Sequence, residues 1–153
     1  MDHVRKLIRD RVTTTLSGLA TTGANAFKTR VYPIATASLP GLAIYTKEES
    51  VDHVSMGALG VGGTPRLQLR DLSLTVEIFV KGISGYDDIV DQICEEIEEA
   101  LYADSTLGGY AQSVSVATFS ADFIGEADQP LGFASLTISV QYQTREGSPD
   151  IAI

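Results

Sequence analysis

The chain has 153 residues, of which 44% are hydrophobic and 20% charged, and its formal net charge is −9. That length suits one domain, and that apolar fraction suits a packed core rather than disorder. The acidic balance disfavours duplex DNA, whose affinity rests on phosphate neutralisation, and it disfavours an anionic membrane surface.

No apolar run approaches the ~20 residues that span a bilayer. The opening MDHVRKLIRDRV is charged and helical in pattern, unlike a secretory signal. The chain is therefore expected to be made and kept in a cytoplasm. Its single cysteine, Cys94, permits no internal disulfide and reads as a buried small hydrophobe.

Taken in order, residues 3–20 are predicted to form a first helix. Val4, Leu7, Ile8, Val12, Leu16 and Leu19 give its apolar stripe, and Asp2 is the expected N-cap. Arg5, Lys6, Arg9 and Arg11 make the outer side basic, holding four of the chain's eleven Lys and Arg residues. Gly18 and the TTGAN run end the helix. AFKTRVY at 26–32 and LAIYT at 42–46 read as two short strands, with Pro33 and Pro40 at strand ends. Residues 47–66 are expected to be a flexible loop; its first half carries a weak strand alternation of Val51, His53 and Ser55 with Asp52, Val54 and Met56, and the stretch 57–66, with Gly57, Gly60, Gly62 and Gly63, is expected to order on meeting a partner.

Leu72, Leu74, Val76, Ile78 and Val80 alternate with Ser73, Thr75 and Glu77, which predicts a strand with one buried face; Phe79 breaks the pattern. The period then lengthens. Tyr86, Ile89, Val90, Ile93, Cys94, Ile97, Ala100 and Leu101 predict a helix, with Ser84 as N-cap and Asp87 in its first turn. Residues 110–124 read as a strand whose apolar phase moves from Val114 and Val116 to Ala117 and Phe119, the mark of a β-bulge. After a turn at 125–130, residues 131–144 return as a strand with Ala134, Leu136, Ile138, Val140 and Tyr142 inward. Residues 145–153 are expected to be an exposed tail. The predicted fold is α+β: one domain over 1–153, with a single mostly antiparallel (mixed) sheet and two helices packed on one face.

Catalytic patterns are missing. His3 and His53 are the only histidines, and both read as solvated surface residues. No zinc-ligand spacing, G-x-S-x-G or P-loop lysine is present. The most unusual local feature is the second helix, where Asp87, Asp88, Asp91, Glu95, Glu96, Glu98 and Glu99 place seven acids in thirteen positions. Like charges at such spacings repel. This face is either simply solvated or meets a basic surface, foremost the first helix of the same chain or of a neighbouring copy. A divalent cation bridging two carboxylates is a weaker reading. The candidate interface set is Arg5, Arg9, Asp87, Asp91, Glu95, Arg66 and Arg70. Neither catalytic residues nor a cofactor or metal is expected.

The order of pieces resembles the phage tail terminator family, represented by minor tail protein U and the tail completion proteins of lambda-like phages. The pieces are a short N-terminal helix, Arg30-Val31-Tyr32-Pro33, LPGLAIYT at 39–46, a long loop, and LSLTVEIFV at 72–80. An acidic amphipathic helix from Tyr86 to Leu101 follows, and ADQPLGFASLTISVQYQT at 127–144 closes the chain. The resemblance implies a structural virion protein rather than an enzyme. It would form a hexameric ring that caps the tail tube, stops its polymerisation and presents the head-joining surface. Implied partners are further copies of the chain, the tail tube protein and a head-completion or connector protein, with no membrane and no sequence-specific nucleic acid. The implied location is the head-proximal end of the tail, after assembly in the host cytoplasm. A neck or head–tail connector component is the nearest alternative, and a small ligand-binding regulatory module is one from another class. A metal-dependent hydrolase is disfavoured, because the carboxylates lie opposite the apolar stripe.

Overall fold

The computed structural model describes residues 1–28, 39–53, 65–81, 85–124 and 131–153. Helix α1 spans Val4–Leu16 and α2 spans Tyr86–Ala103. The strands are β1 (Ala26–Phe27), β2 (Gly41–His53), β3 (Leu67–Lys81), β4 (Ser113–Ile124) and β5 (Leu131–Arg145). They form one five-stranded sheet in the order β1-β2-β3-β5-β4. The β1–β2 pair is parallel and every other pair is antiparallel. This is the α+β architecture that the periodicities predict.

Both helices lie on one face. Val4, Ile8, Val12 and Leu16 of α1, and Val90, Ile93, Ile97 and Leu101 of α2, share one core with Leu72, Leu74, Val76 and Ile78 of β3 and with Ala134, Leu136, Ile138, Val140 and Tyr142 of β5. The even residues of β3 face the even residues of β5, as in Leu72↔Val140 and Ile78↔Ala134. Their alternation therefore delivers one apolar surface, and burying each such side chain fully contributes about 1.5–3 kcal/mol. Phe79, the exception to the alternation, is buried on the opposite face.

Several boundaries differ from the sequence reading, each for a local reason. The N-cap of α1 is His3 rather than Asp2: the His3 imidazole Nδ1 accepts from the Arg5 amide at 3.1 Å. So His3 is a half-buried cap, not a solvated bystander, and burial together with Arg5 lowers its pKa. Helix α1 stops at Leu16 because Gly18 takes φ +99°, a conformation favouring glycine. The N-cap of α2 is Gly85, with φ +73° and no side-chain cap bond; Ser84 lies outside the described residues. Asp87 sits in the first turn as expected.

The expected loop over 47–66 is a strand for its first seven residues, since β2 runs on to His53 and pairs with β3 as far as His53↔Gln68. Gly57, Gly60, Gly62 and Gly63 lie outside the described residues, as do Arg30 to Pro33 of the first predicted strand. The bulge expected in β4 is present, with the register shifting between Val116 and Thr118. A second bulge, between Thr46 and Glu48 of β2, was not anticipated. The tail is not a free end. The Val4 amide donates to the Pro149 carbonyl at 2.9 Å, the Glu146 amide to Arg66 at 2.9 Å, and the Ile153 amide to Gln143 at 3.0 Å.

Candidate functional site

The acids of α2 divide according to their place around the helix. Asp87, Asp88, Asp91, Glu95, Glu98 and Glu99 are exposed, and no ion pair among the described residues involves them. Asp91, Glu95, Glu98 and Tyr102, spaced by four, three and four residues, form one row, and the Tyr102 side chain stands 86% exposed at its end. Glu96 belongs to the other flank. Its Oε1 accepts from the Thr21 amide at 2.9 Å, so it is not part of the solvated face.

Beside that row runs β4, the outermost strand. It pairs only with β5 among the described residues. Its helix-side residues are incompletely covered, leaving Val116 39% and Phe119 48% exposed. Glu98, Leu101, Tyr102 and Ser105 meet Val114, Ser115 and Val116 across a groove of about 220 Å³. Alternation alone could not reveal that these apolar residues are open, because sequence does not say which strand ends the sheet.

At the other end, Lys6, Arg9, Asp10 and Lys28 meet Ile44, Tyr45 and Thr46 around a groove of about 340 Å³. Three cations face Asp10 there, and Lys6 also bonds Asp2 at 2.8 Å. Asp10 accepts from Lys28 at 2.8 Å and from Lys6 at 3.3 Å, and Arg9 Nη1 donates to Thr46 Oγ1 at 3.4 Å. The Lys28 hydrogen bond, opposed by burial and helped by Lys6, lowers the Asp10 pKa.

The two helices of one chain do not bring their charged faces together. The ion pair between them is Arg11 Nε to Asp104 Oδ2 at 2.7 Å, past the end of α2, supported by the Thr15 hydroxyl at 3.0 Å and the Gly108 amide at 3.2 Å. Asp87, Asp91 and Glu95 form no ion pair with α1. Arg11 holds the Asp104 carboxyl below its ordinary 3.8. A depressed pKa contributes stability that is complete above the unfolded value and lost as pH falls through the folded one. Asp104→Asn should therefore be less stable than the parent near neutrality, and urea midpoints of the two should converge below pH 3.8. A gap that persists to lower pH would assign the effect to packing instead.

Arg66 and Arg70 have other duties. Arg66 grips Glu146 through Nε at 2.6 Å and Nη2 at 3.4 Å. Arg70 is only 12% exposed and belongs to a buried cluster centred on Glu49, itself 6% exposed. The Glu49 Oε1 accepts from Arg70 at 2.8 Å and from Arg5 at 3.2 Å, and Oε2 accepts from the Tyr142 phenol at 2.5 Å. Arg70 further donates to Thr144 at 2.9 Å and Gln68 at 3.0 Å. Burial, then the bond to Glu49, raises the Tyr142 pKa. Sequence reasoning missed Glu49 because the extra residue Lys47 in the β2 bulge turns it toward the helices, opposite Leu72.

Cys94 is half-buried, and its thiol is pushed up to about 11 by burial and then by Asp91 and Glu98. That suppresses the reactive thiolate at neutral pH. Among the described residues no group of His, Cys, Asp and Glu could hold a metal ion, and no helix is long and apolar enough to cross a membrane. No protein-family model matches the chain, and no curated protein matches it.

Proposed function

We propose that this chain is a structural assembly protein of the phage tail terminator type, working as a closed homo-oligomeric ring that caps a tail tube. One observation supports the reading most. The described surface carries two unlike patches at opposite ends of one sheet: an acidic row beside the open β4 edge, and a cationic groove between α1 and β2. A head-to-tail ring needs two different, complementary surfaces on every subunit, whereas a two-fold dimer reuses one. The order of sequence motifs, from the N-terminal helix to the closing strand at 131–144, points the same way. In this reading the ring is hexameric, the tube end occupies one of its faces and the head connector the other.

The test is the mass of the purified chain by sedimentation across concentration and salt, followed by cosedimentation with purified tail tubes. The expected result is a single closed oligomer that weakens with salt and pellets with tubes. A monomer under every condition, with no tube binding, would sink the proposal.

A further inference from the structure

The charged ends of the sheet also carry an inference about how neighbouring copies meet. We propose that the β4 edge of one copy, together with the α2 row beside it, seats in the α1/β2 groove of the next. This rests on the ring reading but goes further, because it names the two contacting surfaces.

Three features make the β4 side a docking surface. The outer backbone edge from Ser113 to Ala121 has no strand partner among the described residues. An unpaired edge is a template for another chain. Val116 and Phe119 stand open along it, and Tyr102 is 86% exposed beside it; exposed aromatic side chains of this kind anchor interfaces. The flanking charges are of one sign, Asp91, Glu95 and Glu98, and no ion pair among the described residues neutralises them.

The occupant follows from charge. At −9 overall the chain repels itself, so a second copy must present a locally cationic surface. The groove around Lys6, Arg9 and Lys28 is such a surface, with three cations against Asp10 in its lining and Asp2 bonded to Lys6. The Lys6 and Lys28 side chains remain 46% and 47% exposed even while bonded to Asp10. Ile44 to Thr46 of β2 line that groove beside the cations, with Tyr45 and Thr46 half-buried, so an arriving edge meets the β2 side of the sheet as well as charge. The Arg5–Glu49 and Arg11–Asp104 pairs are satisfied internally and take no part.

Two triple reversals test this. One variant carries Lys6→Glu, Arg9→Glu and Lys28→Glu; the other carries Asp91→Lys, Glu95→Lys and Glu98→Lys. Each alone places like charges across the contact and should weaken association by roughly a hundredfold or more. Mixed in equal amounts, they should assemble again, because each variant's reversed patch then meets its complement in alternating copies. Circular dichroism of each variant separates misfolding from lost contact. Hydrogen exchange gives a second readout, with the amides of Ser113 to Ala121 slowing on assembly. Variants that assemble as the parent does would overturn this contact while leaving the ring reading standing. Two impaired variants that fail to rescue each other would overturn it as well, as would unchanged exchange along β4. A parent that never associates would overturn both proposals.

Discussion

Replacing Glu49 with alanine should cost the fold about 3–5 kcal/mol, the range for removing one member of a buried ion pair. The cost comes from what is left behind. Arg70, 12% exposed, loses its carboxylate, and the Tyr142 phenol, on a fully buried residue, loses its acceptor. Arg5, 40% exposed, can turn to water. Glu49→Gln keeps an oxygen in place and should cost less. Replacing Glu49 with Met, Arg70 with Leu and Tyr142 with Phe together should recover most of the loss, because no buried charge then stands alone. Urea midpoints at neutral pH measure all three variants. A Glu49→Ala loss below about 1 kcal/mol, the ordinary value for an exposed pair, would mean that water reaches the cluster and screens it.

Gly132→Ala is the second large effect, and it acts by volume. A Cβ at Gly132 would fall within the ring of Tyr86, on Cε2 and Cδ2. That ring has little freedom to yield. Its hydroxyl lies 2.8 Å from the Asp122 carbonyl and 2.6 Å from the Phe133 carbonyl, tying the first turn of α2 to β4 and β5. Crowding of this kind in a packed interior costs about 1–3 kcal/mol. In a Tyr86→Ala background the same substitution should be neutral or slightly stabilising, since alanine also restricts the unfolded chain. Thermal unfolding of the parent and the three variants closes the cycle. Additive losses would show that Gly132 is needed for its backbone rather than for the space it leaves.

The parts of the fold that were legible in the sequence are those whose side chains repeat a period. Leu72 to Val80, Ala134 to Tyr142 and the Val90–Ile93–Ile97–Leu101 stripe each write one buried face into the chain. The bulge at Val116 was legible as a change of phase. The extension of β2 was only faintly legible, in the alternation around Val51 and His53, because Lys47, Glu48 and Glu49 are three charges in a row and the inserted residue breaks the alternation. The docked tail was hidden for another reason. Apart from the Arg66–Glu146 pair, its bonds run through backbone groups, such as the Ile153 amide to Gln143, and leave no periodic side-chain signature. For the candidate site, the acidic row of α2 was plain in the sequence, but its neighbour was not. That Arg70 turns inward to Glu49 while Phe119 stays open depends on which strands lie centrally and which lie at the margin, a property of the whole sheet.

The two bulges have a joint geometrical consequence. Lys47 is the surplus residue opposite the Leu74/Ser73 step of β3, and Ala117 is the surplus residue opposite the Ile138/Thr137 step of β5. Leu74 and Ile138 are themselves partners. Both flanking strands thus gain one residue next to the same rung, one on each side of it, while the central pair runs its fifteen rungs without interruption. The uninterrupted central pair is flanked by a bulge on each side, the two bracketing the single Leu74–Ile138 rung. Each bulge is also a point where chain length can change by one without exchanging inside for outside: without Lys47 or Ala117, every other residue of that strand would still stand opposite its present partner.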